Sequence, residues 1–204
     1  MRIRDLGRAE YEATWLAMQD FTRERGAETA DELWFVEHPA VFTLGLAGRE
    51  EHVLDAGDIP VIRIDRGGQV TWHGPGQLVA YALIDLRRAG YGVKSLVRRL
   101  EQSVIDLLAK EGITASRREG MPGVYVNGDK VAAVGLRVAR GCSYHGIALN
   151  VSAELGAFSR INPCGYPGLA ATRLADLGVR DTLPEVRVKW ERTLVDNLAL
   201  PASP

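Results

Sequence analysis

Val124-Tyr125-Val126-Asn127-Gly128-Asp129-Lys130-Val131-Ala132-Ala133-Val134-Gly135-Leu136-Arg137 reads as a strand, a two-residue turn and a longer return strand. Asn-Gly accepts positive φ at both central positions, which the type I′ hairpin turn requires. The return strand runs on to about Ala139. Arg140-Gly141 breaks it, and residues 143–151 form the next strand. Strands joined by such short turns must pair antiparallel. Working outward, short apolar runs at 33–36 and 41–44 are split by His38-Pro39, and further strands fit 61–65 and 78–84. Helical spacing appears at 9–24, where Tyr11, Trp15, Met18 and Thr22 or Phe21 recur before Arg25-Gly26. A longer helix fits 93–110, with Val93, Leu96, Val97, Leu100, Val104, Leu107 and Leu108 in one stripe and Gly112 as its stop. A last helix starts at Thr182-Leu183-Pro184-Glu185, a capping-box spacing with proline in the first turn, and buries Val186, Trp190, Leu194 and Leu198. Helices before, between and after adjacent strands predict an α+β fold: one domain over 1–204, a mixed and largely antiparallel sheet flanked by helices, frayed at 201–204. The strands do not alternate with helices as a doubly wound sheet requires.

Composition narrows the function. The chain has 204 residues, 46% hydrophobic and 25% charged, with a net charge of −1. That balance argues against a large electrostatic grip on nucleic acid. The longest uncharged apolar stretch, around 78–84, is too short to cross a bilayer. Residues 1–5 run straight into an amphipathic pattern with no secretory signal, so a reducing, cytoplasmic setting is expected. Two cysteines, Cys142 and Cys164, make neither a disulfide framework nor an all-cysteine zinc site. Lysine is rare, with Lys94, Lys110, Lys130 and Lys189 among 25 basic residues.

Three segments carry chemistry. The first runs Arg66-Gly67-Gly68-Gln69-Val70-Thr71-Trp72-His73-Gly74-Pro75-Gly76-Gln77 between two apolar strands. Its glycines permit close backbone approach, but it matches neither a P-loop nor a dinucleotide fingerprint. The second holds Lys130. Counting by twos places Lys130 with Ala132, Val134 and Leu136 on one apolar face, where a lysine is a base or an ammonium reaching water from a strand end. The third, Arg160-Ile161-Asn162-Pro163-Cys164-Gly165-Tyr166-Pro167-Gly168, sets Cys164 in a turn-rich loop, unlike a core thiol. A nucleophilic thiolate needs a base or cation nearby. His73, His145 and Lys130 compete for that role; Cys–His is the commoner pair, and the residues alone leave the choice open. Cys142 reads as packing. His38 and His52 have no chemical context.

In combination, Arg-Gly-Gly-x-x-Thr-x-His-Gly-Pro-Gly-Gln, Lys-Val-Ala-Ala-Val-Gly-Leu-Arg, Gly-Cys-Ser-Tyr-His-Gly-Ile-Ala-Leu-Asn-Val and Ile-Asn-Pro-Cys-Gly resemble the octanoyltransferases of lipoate biosynthesis over residues 5–200. Trp72 departs from the tyrosine or phenylalanine expected there. The resemblance implies a fold like the biotin and lipoate protein ligases. It implies an acyl thioester on Cys164, with Lys130 as partner. It implies substrate binding by Arg66, Gly67, Gly68, Gln69, Val70, Thr71, Trp72 and His73, by Ala133, Val134 and Gly135, and by Gly146, Ile147 and Ala148, with His145 as an auxiliary. It implies no metal and no cofactor, the substrate riding on the phosphopantetheine arm of acyl carrier protein. The implied acceptors are lipoyl domains of 2-oxo-acid dehydrogenase complexes and the glycine cleavage H protein, and a monomer suffices. The alternative is an ATP-dependent lipoate or octanoate ligase on the same scaffold. Val134, Leu136, Ile147 and Leu149 are expected along an acyl tunnel. Arg87-Arg88, Arg98-Arg99, Arg117-Arg118 and Arg137 with Arg140 are expected to offer a docking patch for the acidic carrier.

Overall fold

The computed structural model describes residues 1–166 and 168–199, except the side chain of Cys164. The expected fraying at 201–204 lies outside them. The elements run β1 (Arg2–Arg8), α1 (Tyr11–Glu24), β2 (Glu32–Glu37), β3 (Val41–Leu44), β4 (Val61–Arg63), β5 (Val70–His73), β6 (Gln77–Leu83), α2 (Leu86–Ala89), α3 (Val93–Lys110), β7 (Ser116–Arg118), β8 (Met121–Val126), β9 (Asp129–Ala139), β10 (Cys142–Asn150) and α4 (Leu183–Ala199).

The Asn127-Gly128 hairpin stands as expected. Both residues have positive φ, 51° and 99°, and Val126 pairs with Asp129. Arg140-Gly141 repeats the device, at 55° and 84°, between β9 and β10. A large sheet has the order β1-β2-β6-β10-β9-β8-β7, antiparallel except for β1 beside β2. The His38-Pro39 bend carries the chain from β2 out of this sheet into a second one, ordered β4-β3-β5. The α+β fold with a mixed, largely antiparallel sheet is thus present.

Four elements escape the sequence pattern. Strand β1 is a charged, mostly exposed edge, where packing does not impose alternation. Strand β7 is short and exposed, and α2 is a single turn capped by Asp85. The supposed loop at 66–77 also contains β5.

One face of the large sheet carries α3 and α4, whose apolar sides pack with Leu33, Leu78, Leu149 and Ala132. Val93 is exposed rather than part of that stripe, because it opens the helix. Helix α3 closes as the glycine predicts: Gly112 has φ +73°, its N–H donates to Ala109 O, and Ile113 N–H donates to Leu108 O. Trp190 of α4 is fully buried and donates from Nε1 to Ser103 Oγ at 3.0 Å. The other face packs α1 through Met18 against Trp34, Val79, Tyr81 and Ala148.

The start of α4 shows the carboxylate half of the expected capping box. Glu185 accepts from Thr182 N–H at 2.8 Å and from its hydroxyl at 2.7 Å. Replacing Thr182 by alanine removes only the hydroxyl bond to an exposed carboxylate and should cost less than losing a full N-cap, under about 1 kcal/mol. Urea unfolding should show it as a lower midpoint at unchanged slope.

Candidate active site

A pocket lies between the small sheet and the face of the large sheet that carries α1. Its walls are Arg66, Gly68, Gln69, Val70, Thr71 and His73 on one side, and Val79, Tyr81, Ala133, Val134, Gly135, Gly146, Ile147 and Ala148 on the other, with Tyr11 and His145. All six residues expected from β9 and β10 are there. Of the eight expected from 66–73, Gly67 and Trp72 are not on the wall. Gly67 N–H donates to Leu136 O at 2.8 Å and so ties the turn to β9. Trp72 points the other way on its strand, into the core of the small sheet against Phe158, 5.5 Å between centroids. Its Nε1 is buried without a hydrogen-bond partner among the described residues.

Backbone clearance explains two glycines. Gly135 pairs with Gly146 across β9 and β10. A Cβ on Gly135 would stand 2.9 Å from Arg66 Cδ, and one on Gly146 would stand 2.0 Å from Ala80 O. The first absence lets the Arg66 side chain pass over β9, and the second lets β10 lie close against β6. Its guanidinium donates from Nη2 to Thr43 O at 2.7 Å and to Thr43 Oγ1 at 2.8 Å.

The expected tunnel wall needs correction. Leu136 and Leu149 belong to the core under the helices, while Val134 and Ile147 touch both core and pocket. Pairing register gives the reason: Leu149 lies opposite Ala132 and Leu78 on the helix face, whereas Ala148 lies opposite Ala133 and Val79 on the pocket face.

Lys130 is corrected in the same way. Val124 pairs with Ala132 but Tyr125 pairs with Lys130, so Val131 is an extra residue in β9. This bulge breaks the count by twos. Val131 and Ala132 both join the helix-side core. Lys130 instead turns to the face of Ala133, where it lines a second cavity with Thr71, Gln77, Asn150, Pro163 and Ala170. Thr71 and Ala133 border both cavities, which therefore adjoin. Lys130 is 6% exposed. Its Nζ donates to Pro122 O at 3.1 Å and lies 5.2 Å from the centre of the Tyr125 ring.

The Cys164 side chain lies outside the described residues, but its backbone is placed. Pro163–Gly165 is a single 3-10 turn. Asn162 N–H donates to His52 O at 2.8 Å, Gly165 N–H returns to Asn162 O at 2.9 Å, and Gly165 has φ +78°. The chain after the loop pairs with the start of β9: Lys130 N–H donates to Ala170 O, and Thr172 N–H to Lys130 O. Pro163, the neighbour of Cys164, and Lys130 therefore border one cavity.

The histidines fall elsewhere. His145 pairs with Leu136, six residues along β9 from Lys130, roughly 17–20 Å at the rise of a strand. His73 is buried and donates from Nδ1 to Gln77 Oε1 at 2.7 Å. Gln77 Nε2 continues to Asn150 Oδ1 and Asn150 Nδ2 to Thr172 O, both at 3.0 Å. This chain braces the Lys130 segment. His38 is fully buried: Nδ1–H donates to Ala9 O at 2.7 Å, so Nε2 accepts from Tyr81 OH at 2.8 Å. His52 lies 3.4 Å from Asn162 through Nδ1, directly beneath the cysteine turn. Both were without context in the sequence because their partners are distant in the chain.

Asp65, also missed, organises the inner end. It accepts from Trp15 Nε1 at 2.8 Å, Gln19 Nε2 at 3.2 Å, His145 Nε2 at 3.0 Å and the Tyr144 hydroxyl. Burial works to raise its pKa, but the bonds from His145, Tyr144 and Trp15 outweigh burial and hold the carboxyl well below the usual range. Burial lowers His145, against the pull of Asp65. Burial first, then the charges of its neighbours, lowers His73, and burial brings His38 down to about 4. The pocket wall is thus uncharged at its histidines near neutral pH, as an apolar ligand requires.

Cys142 is buried at the start of β10, and burial raises its thiol pKa, consistent with packing. The expected arginine patch loses several members to the chain itself. Arg99 donates to Asn197 O and lies over Tyr91, Arg117 holds Glu101, Arg88 holds Asp31, and Arg140 donates to Arg23 O. Among the described residues no helix is long and apolar enough to cross a membrane.

Comparison with known proteins gives the family. The family model of the lipoyl protein ligase A/B catalytic domain matches residues 10–194. An octanoyltransferase of Thiobacillus denitrificans (strain ATCC 25259 / T1) is 59% identical over 196 residues, covering 96% of this chain and 88% of its own. Among solved structures, lipoate-protein ligase A bound with ATP superposes with a TM-score of 0.80 at 16% identity, over 99% of this chain and 87% of the other. Biotin protein ligase from Aquifex aeolicus superposes at 0.56 and 16%, over 97% and 68%. Those two structures share the fold. The chain belongs to the lipoyl protein ligase A/B catalytic domain family.

Proposed function

We propose that this chain is an octanoyltransferase that moves an octanoyl group from acyl carrier protein to the acceptor lysine of lipoyl domains, those of 2-oxo-acid dehydrogenase complexes and the glycine cleavage H protein. One observation carries the proposal. A mostly apolar pocket adjoins, across Thr71 and Ala133, the cavity that Lys130 shares with Pro163, next to Cys164. The likeness to octanoyltransferases supports it.

In the proposed reaction Lys130 takes the Cys164 proton, and the thiolate attacks the thioester carbonyl of the donor. A carbon–sulfur bond to Cys164 forms as the bond to the phosphopantetheine thiol breaks. Lys130 returns the proton to that thiol. One thioester replaces another, so the step is nearly isoenergetic and needs no ATP, metal or other cofactor. The acceptor amine then attacks the Cys164 thioester: a carbon–nitrogen bond forms as the carbon–sulfur bond to Cys164 breaks, and Lys130 carries the amine proton to the departing thiolate, leaving an amide, which is downhill. Ping-pong kinetics follow. A cytoplasmic location would bring the enzyme to both partners, and a monomer is sufficient.

The test is to incubate the protein with octanoyl acyl carrier protein, without ATP or acceptor, and to record its intact mass and peptide map. One octanoyl group on Cys164, transferred to a lipoyl domain added later, is the expected result. No adduct, with acceptor modification only when ATP and free octanoate are supplied, would replace this proposal with a ligase reaction.

A further inference from the structure

The inner end of the pocket is built around one backbone departure. His145 has φ +60°, the left-handed region that a ring-bearing residue enters only against steric cost. Alternation along β10 sends Tyr144, Gly146 and Ala148 to the pocket face and Ile147 and Leu149 to the helix face. His145 should therefore face the helices. The left-handed backbone turns it to the pocket instead, where its ring stacks on Tyr144 with centroids 5.1 Å apart and meets the edge of Tyr81 at 6.1 Å. Asp65 tethers it. An ionised carboxylate only accepts, so His145 Nε2 carries the proton and Nδ1 presents a lone pair. That Nδ1 is buried with no hydrogen-bond partner among the described residues.

Strand β10 also measures the pocket. Asn150 borders the Lys130 cavity and His145 borders the inner end, about 17 Å apart at the rise of a strand. An extended octanoyl chain spans about 9 Å from carbonyl carbon to methyl. With about 4 Å of contact distance, a chain whose carbonyl lies at the Lys130 end reaches the level of Gly146, which pairs with Tyr81, the residue whose ring meets that of His145.

We propose that the His145 ring, held by Asp65 and by its left-handed backbone, is the end-stop that sets the length of the acyl chain. The proposal rests on the octanoyl-transfer reading. A chain two carbons longer must push aside a ring fixed on three sides, and a saturated chain offers the Nδ1 lone pair no donor in return.

The experiment compares octanoyl, decanoyl and dodecanoyl acyl carrier proteins as donors, reading the ratio of kcat/KM values. His145→Gly removes the ring and suits the left-handed backbone. His145→Gln removes the ring but keeps a donor for Asp65, and its ratio decides if the glycine variant melts too early. The decanoyl-to-octanoyl ratio should rise on the order of tenfold, the worth of two newly buried methylenes. A general loss of stability or activity would lower both values and leave the ratio where it was. An unchanged ratio in folded variants that still transfer octanoyl would overturn the end-stop. Failure of the unmodified protein to transfer octanoyl from the carrier would instead overturn the function on which it rests.

Discussion

Lys130→Met should slow octanoyl transfer roughly 10²–10⁴-fold, the usual worth of a positioned general acid–base group. Methionine keeps an unbranched side chain over Tyr125 and lacks the Nζ that donates to Pro122 O. The leftover carbonyl costs about 1–3 kcal/mol of stability if it stays unsatisfied, so a melting curve belongs beside the kinetics. Arginine should not rescue, because its planar fork cannot replace a compact amine in a 6% exposed site and does not release its proton. Two readouts separate chemistry from folding. The first is formation of the Cys164 adduct in a single turnover. The second is the pH dependence of Cys164 alkylation by iodoacetamide, which should move to higher pH when the neighbouring base is gone. Transfer and alkylation retained within a few-fold would place the base elsewhere, and His52, beneath the cysteine turn, would be examined next.

Acid should unfold this protein earlier than its net charge suggests, and His38 should account for much of the loss. Its folded pKa of about 4 lies below the ordinary 6.5 because burial disfavours the imidazolium. Between those values the unfolded chain binds the proton more tightly. The contribution to stability is therefore complete above pH 6.5 and is lost as pH falls toward 4. For one group the loss comes to about 2 kcal/mol by pH 5 and about 3 kcal/mol by pH 4. His73 and His145 are lowered by the same cause and add to it in the same direction. Asp65, held low, contributes stability above the ordinary carboxylate range and loses it only at lower pH, outside this window. Urea unfolding at pH 7.5, 6 and 5 measures the effect. His38→Asn should be less stable at pH 7.5, since it cannot span Ala9 O and Tyr81 OH together, yet lose less on acidification. An unchanged slope in that variant would assign the acid sensitivity to the other histidines.

The sequence by itself determined the hairpin and the helices. Asn127-Gly128 has one favoured turn, Gly112 one favoured role at a helix end, and the α3 and α4 stripes one face to bury, all decided among residues close in the chain. It also marked Lys130 and the segments at 66–73, 133–135 and 146–148, most of which line two adjoining cavities. It could not find the Val131 bulge, since an extra residue in one strand has meaning only against the partner strand, and that residue turns Lys130 to the pocket. Nor could it choose among His73, His145 and Lys130: their separation depends on which strands pair and in what register. Asp65 was silent for the same reason. Its partners Trp15, Gln19, Tyr144 and His145 lie 46 to 80 residues away and meet it only when α1 and β10 close around the end of the small sheet. Local backbone preference wrote the elements; tertiary packing alone decided which of their side chains share a cavity, because hydrogen bonds and burial act through space and not along the chain.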